Sequence, residues 1–126
     1  MKGLRLFVRP LTTSDLPVVR EILDQAGVAL PKDAPSEGLV AKLLGDPVAV
    51  VLTRPVPPGA LIELFLVAPR LRRKHIGRTL LRELLLLTPG GLAVRRDDKT
   101  DRFFRNAGFR DADGALLISE GGTSRT

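Results

Sequence analysis

Along this chain the spacing of hydrophobic positions changes several times, and each change marks a predicted element. Residues Leu4 to Pro10, LRLFVRP, alternate apolar and basic side chains up to a proline that cannot continue a ladder, as an opening strand does. The spacing then becomes three and four: Leu16, Val19, Ile22 and Leu23 form one stripe of a helix that Thr13 or Ser14 can cap. Asp15 suits its first turn and Gly27 can end it. Ser36 to Gly45, SEGLVAKLLG, reads as a second short helix with Ser36 as cap and Gly45 as stop. Pro47 to Pro55 is continuous and β-branched, which predicts a strand buried on both faces. A tight turn, VPPGA, separates it from another strand over Leu61 to Pro69. Ile76 to Leu87 predicts a strongly apolar helix ended by TPGG. LAVRR is a strand, DDKTDRFFRNAG a helix with Asp97 or Asp98 as cap and Gly108 as stop, and ALLIS a last short strand.

The predicted order is therefore strand, two helices, two strands, helix, strand, helix, strand. The two strands joined by a tight turn are antiparallel, whereas strand–helix–strand units at the C-terminal end demand parallel pairing. A mixed α/β sheet with helices on both faces follows. The 126 residues suit one domain, expected over 1–120, with GGTSRT at 121–126 as a flexible tail.

Composition narrows the chemistry. The chain has no cysteine and one histidine, which excludes disulfides, thiolate metal sites and a cysteine nucleophile, and leaves little for any other metal. No apolar run, the LLLL of Leu84 to Leu87 included, approaches the roughly 20 residues a bilayer span needs, and the N-terminus lacks a signal-peptide pattern. A cytoplasmic protein with no membrane partner is expected. Twenty basic against fourteen acidic residues give a net charge of +6, which favours anionic partners. Five Phe with no Trp or Tyr offer few stacking platforms, so a nucleic acid is disfavoured as the anion.

The stretch VAPRLRRKHIGRTLL, Val67 to Leu81, carries five Lys or Arg residues between positions 70 and 78 and then runs into leucines. A strand, a basic loop and a helix starting near Ile76 expose backbone amides at a helix N-terminus, where the helix dipole also favours an anion. Gly77 lets a ligand approach the backbone, and Arg72, Arg73, Lys74 and Arg78 add attraction. Pyrophosphate fits this arrangement. A solvated basic loop and an exposed nucleic-acid-binding helix are the alternatives, but the leucines from Leu80 onward require the helix to be buried.

This stretch resembles the acetyl-CoA-binding motif of the GNAT N-acetyltransferase superfamily, with Arg72 and Gly77 at its first and last positions. VRPLTTSDLPVV is similar to that family's first strand and helix, and FFRNAGF to a segment near its C-terminal end, so the resemblance spans nearly the whole chain. It implies a mostly antiparallel mixed sheet and acetyl-CoA as cofactor. The backbone of Leu66 and Val67 would pair with the pantetheine arm, the amides from Arg72 through Arg73, Lys74, His75, Ile76 and Gly77 to Arg78 would hold the pyrophosphate, and Phe104 would pack against the cofactor. The sequence departs from the family pattern at four points. His75 replaces the motif's middle Gly, Phe104 replaces the frequent general-acid tyrosine, Asp98 replaces an Asn, and the chain is shorter by about one strand before PVAVVLT.

The implied reaction is acetyl transfer to a primary amine by direct attack in a ternary complex, the acceptor being a small molecule or a protein. Glu63 is the ionisable residue inside its strand, and period two sets it on the face of Leu61, Phe65 and Val67. It is a candidate catalytic base, with a structural ion pair to an Arg as the other reading. His75, the side-chain type that titrates nearest neutrality, would sit at the phosphates rather than at the thioester. The missing tyrosine also suits a CoA-binding regulatory or interaction module without turnover. Exposed strand edges at the C-terminal end are compatible with a homodimer.

Overall fold

The structure is a computed structural model that describes residues 6–30, 33, 37–68, 75–112 and 116–119. Seven strands, β1 (Leu6–Pro10), β2 (Glu37–Leu43), β3 (Asp46–Val56), β4 (Gly59–Val67), β5 (Leu92–Arg95), β6 (Arg110–Asp111) and β7 (Leu116–Ser119), form one sheet in the order β1-β2-β3-β4-β5-β7-β6. Every neighbouring pair is antiparallel except β4 and β5, which run parallel. The helices are α1 (Leu16–Ala26), α2 (Ile76–Leu87) and α3 (Asp101–Asn106). This is the mixed, mostly antiparallel α/β architecture expected.

Burial divides the sheet into two faces. Val19, Ile22 and Leu23 of α1 pack with Val40, Val50, Leu52 and Leu66 on one face. Ile76, Leu80, Leu81 and Leu84 of α2, with Phe104 of α3, pack with Leu39, Ala41, Val51, Ile62 and Val67 on the other. Strands covered on both sides are apolar at successive positions, which is why β3 reads as a continuous run.

The same covering explains the main correction to the sequence reading. Residues 37–43 form strand β2, not a helix, and β2 pairs with both β1 and β3. Leu39 and Ala41 enter one core and Val40 the other, so burial on both faces hides the period of two. Once this segment is a strand, the chain is not one strand short. Ser36, named as the cap, lies outside the described residues, as do Leu4 and the tail at 121–126.

Smaller differences have local causes. Helix α1 is capped at Asp15 rather than at Thr13 or Ser14, after a 3-10 turn over Thr13–Asp15, because Asp15 accepts the Thr12 N–H at 2.8 Å and pairs with Arg9. Helix α3 starts after Thr100, since Asp97 uses its carbonyl on the N–H groups of Thr100 and Asp101 and its carboxylate on that of Lys99, closing an earlier turn. Asp98 does not cap it either. The unit β4–α2–β5 is parallel as expected. The unit β5–α3–β7 is not, because the two-residue strand β6 turns the chain back so that β7 runs antiparallel to both neighbours.

Two glycines fix where β5 begins. A Cβ on Gly59 would lie 1.9 Å from the Gly91 carbonyl oxygen, and one on Gly90 would lie 1.7 Å from that of Pro58. Only glycine lets the turn after β3 dock on the turn after α2, where the Ala60 N–H donates to the Gly91 carbonyl at 3.1 Å and starts the parallel pairing.

Asp15 gives the α1 face a measurable pH dependence. It is 3% exposed, and Arg9 Nη1 donates to its Oδ2 at 2.9 Å. The Arg9 hydrogen bonds, with a smaller contribution from Thr12, hold its carboxyl far below the usual carboxylate range despite burial. Its contribution to stability is complete above about pH 4 and is lost as the pH falls through the depressed folded-state value. Asp15→Asn is expected to cost about 1–3 kcal/mol at pH 7 by urea unfolding. The gap to the parent protein should narrow below about pH 4, as the parent loses its own contribution.

Candidate active site

The site begins with an irregularity in β4. Leu64 pairs with Leu52 and Ile62 with the next residue, Thr53, so Glu63 is an extra residue in the strand, a β-bulge. Alternation breaks there. Ile62 and Phe65, three apart, both belong to the core under α2, while Leu64 and Leu66 belong to the core under α1. Strict period two, by which the sequence reading set Glu63 with Leu61, Phe65 and Val67, would put Ile62 on the opposite face; the bulge brings Ile62 into the core that Phe65 and Val67 share.

The parallel ladder stops beside the bulge. Strand β5 pairs with β4 only through Ala60–Ile62 and Leu92–Val94. Beyond Ile62, no strand among the described residues covers that edge of β4. Two cavities open in the resulting wedge.

The larger, about 660 Å3, lies between Phe65, Leu66 and Val67 of β4 and His75, Gly77 and Arg78 at the start of α2. Its far wall is Lys99, Thr100, Phe103 and Phe104. The smaller, about 410 Å3, is lined by residues 62–65 of β4, by Val94, Arg95, Arg96 and Asp97 at the end of β5, and again by Thr100 and Phe104. Phe65, Thr100 and Phe104 are common to both, so the two spaces meet at one aromatic wall.

That wall is rigidly packed. Phe65, Phe103 and Phe104 have ring centroids 5.1–5.7 Å apart, and Phe104 also contacts Phe109 at 5.1 Å. Such separations suit tilted and edge-to-face aromatic pairs. Phe104 is 2% exposed and is part of the core as well as of the cavity surface. Phe103, which helical spacing assigns to the core, is half-buried and lines the larger cavity. Helical periodicity could not reveal this, because α3 faces the wedge and the core with adjacent residues. Phe65, Lys99 and Thr100 are the other lining residues that the sequence reading did not assign to the cofactor site.

At the start of α2 no carbonyl among the described residues accepts from the N–H groups of Ile76, Gly77 or Arg78; the Thr79 N–H is the first to be satisfied, by the His75 carbonyl at 3.1 Å. His75 has φ 62°, the left-handed conformation that a glycine at this motif position would adopt freely. The histidine thus keeps the turn that opens the helix, and its side chain is exposed at the cavity. Gly77 accepts a side chain without a clash: the nearest atoms to an added Cβ are Phe103 and Phe65 ring carbons, at an ordinary 3.5 Å. Leu66, Val67, His75, Gly77, Arg78 and Phe104 line the larger cavity, Ile76 is buried in the core beside it, and Arg72, Arg73 and Lys74, with Pro69 of the motif, lie outside the described residues.

Glu63 is held between two arginines. Arg54 Nε donates to its Oε2 at 3.0 Å and Arg95 Nη1 to its Oε1 at 3.3 Å. The bond from Arg54, helped by that from Arg95, keeps the Glu63 carboxyl below the usual carboxylate range against the opposing effect of burial. Arg54 also donates through Nη2 to the Asp33 carbonyl at 2.7 Å, tying the segment after α1 to the bulge.

Taken together, the fold and site define an α/β domain with a wedge at a splayed parallel strand pair, floored by the first turn of a buried helix whose leading N–H groups have no carbonyl partner among the described residues. The description of the acetyltransferase (GNAT) family matches residues 6–109, and the chain belongs to that family. A search among curated proteins finds no match. Solved structures of the same fold include a GNAT family acetyltransferase from Brucella melitensis in complex with acetyl-CoA (18% identity, TM-score 0.71, covering 97% of this chain and 92% of that one). The ribosomal-protein-S18-alanine N-acetyltransferase of Escherichia coli has 20% identity and TM-score 0.68, with 90% and 91% covered. An acetyltransferase from Thermus thermophilus has 21% identity and TM-score 0.70, with 94% and 97% covered. At these identities the likeness is one of fold.

Gly77→Glu tests the wedge directly. The side chain has room, and an acidic residue in a first helical turn is well tolerated, so stability is expected to hold within about 1 kcal/mol. The carboxylate would lie where the helix amides meet an anion. Binding of coenzyme A, measured by calorimetry, is expected to fall at least about 100-fold; unchanged affinity would place the phosphates elsewhere.

Proposed function

We propose that this protein transfers the acetyl group of acetyl-CoA to a primary amine by direct attack in a ternary complex. The observation that carries the reading is the wedge itself: amides with no carbonyl partner among the described residues lie at one end, at the start of α2, and the edge of β4 that no described strand covers leads to an aromatic wall shared with a second cavity. The donor set suits the cofactor. Gly77, Arg78 and Lys99 provide amides and positive charge for a pyrophosphate, and Phe65, Phe103 and Phe104 provide an apolar run for a thioester arm. Acetyl-CoA supplies an activated acyl group on a good leaving thiol.

The residues of the chain then have separable tasks. The open edge of β4 next to the bulge offers backbone N–H groups to a carbonyl oxygen that gains negative charge. Phe104 stands where a tyrosine would donate a proton to the departing thiolate, and it can only pack. A thiol with an ordinary pKa near 8.5 leaves without that donor at a modest loss of rate. Glu63 is ionised at neutral pH, but its lowered pKa and its two arginine bonds make it a weak base, which favours the ion-pair role over proton abstraction.

A second reading is favoured by one observation, the complete absence of tyrosine: a module that binds coenzyme A without turning over. One set of measurements separates the two. Acetyl-CoA at 100 times its Kd should stabilise the protein by about 2.7 kcal/mol, seen as a rise in Tm, and a panel of primary amines should yield an acetylated product by mass. A Tm rise with no product from any amine would support the binding module. No Tm rise would overturn both. In Glu63→Gln, turnover per folded molecule should stay within about threefold while stability falls; a loss of about 100-fold, together with loss of the acidic limb of the rate profile, would restore Glu63 as the base.

A further inference from the structure

We infer that the acceptor is a small amine carrying a carboxylate close to its amino group, recognised by Arg95, and not a polycation such as a polyamine. This rests on the acetyl-transfer reading, because it assigns the smaller cavity to the acceptor.

The assignment follows from the shared wall. A thioester arm entering along the larger cavity ends at Phe65 and Phe104, and the only other space that meets this wall among the described cavities is the smaller one. Its volume of about 410 Å3 is in the lower part of the range of small-molecule sites.

The charges of that cavity are unequally engaged. Both oxygens of Glu63 already accept arginine N–H groups. Asp97 accepts the Lys99 backbone N–H through Oδ1. Arg96 is drawn away to Asp101 at 3.3 Å and Asp111 at 3.7 Å. Arg95 differs from these. Its guanidinium makes one contact among the described residues, the 3.3 Å bond to Glu63, and its side chain is 63% exposed at the cavity. Its remaining donors have no partner among the described residues, and a guanidinium with free N–H groups can take a carboxylate in a two-point bond.

An incoming ammonium therefore meets acidic groups that are already bonded, and an incoming carboxylate meets a guanidinium with donors to spare. In the transfer, the amine nitrogen forms its bond to the acetyl carbon, the carbon–sulfur bond breaks, the thiolate departs with the electron pair, and the nitrogen releases a proton to water.

The test uses matched acceptors with the full-length protein and acetyl-CoA. β-Alanine is compared with ethylamine, phosphoethanolamine with ethanolamine, and spermidine serves as the polycation, with direct binding of coenzyme A measured alongside. The expected result is that β-alanine exceeds ethylamine in kcat/KM by about 10-fold or more, mostly through KM, and exceeds phosphoethanolamine. In Arg95→Gln the ratio of β-alanine to ethylamine should shrink towards one, whereas a merely structural Arg95 would lower both rates and keep the ratio. Equal use of the matched amines, preference for spermidine or phosphoethanolamine, or an unchanged ratio in Arg95→Gln would overturn the inference. Coenzyme A binding without acetylation of any amine would overturn it too, while absence of coenzyme A binding would first overturn the acetyl-transfer reading.

Discussion

The site depends on one constraint: β4 cannot pair with β5 beyond Ile62. The insertion of Glu63 as an extra residue bends β4 and increases its twist, and β5 ends at Arg95, just before the turn around Asp97. If the parallel ladder continued, the backbone of β4 would be saturated and the aromatic wall closed. Because it stops, the sheet contains an edge in its interior, between strands that are paired elsewhere along their length. The two buried faces on either side keep that edge open, since α1 and α2 hold β4 from opposite sides through Leu66 and Val67, neighbouring residues in different cores.

The bulge also gathers the charges. A carboxylate in a bent, partly buried stretch needs partners, and it finds Arg54 on β3 and Arg95 at the end of β5. These bonds span the strand pair where its ladder ends. They join the bulge to Asp33 on one side and leave an exposed guanidinium on the other. The group that stabilises the irregularity thereby sets the electrostatics of the smaller cavity.

Much of this was legible in the sequence, and what was not has physical reasons. The range of α2, Ile76 to Leu87, was readable at both ends, because a basic loop precedes it, TPGG follows it and a wide apolar stripe lies between. The turn at the start of α2 could be anticipated as a place for positive φ, and His75 adopts it. Strand β2 was not readable, since burial on both faces gave Leu39, Val40 and Leu43 the spacing of a helix. Nor was the bulge: pattern reading assumes an unbroken period of two, and one inserted residue brings Ile62 onto the face of Phe65 and Val67. Phe103 packs on the core and lines the larger cavity at once, and helical spacing alone does not separate these two roles.

The measurement that bears most directly on the account is amide hydrogen exchange with and without saturating acetyl-CoA. Slowed exchange is expected at Glu63–Leu66 on the open edge of β4 and at Ile76–Arg78 at the start of α2, with little change along β1, β2 and α1. Protection confined to the α1 face, or none along β4 despite demonstrated binding, would contradict the claim that the interrupted ladder is the cofactor slot.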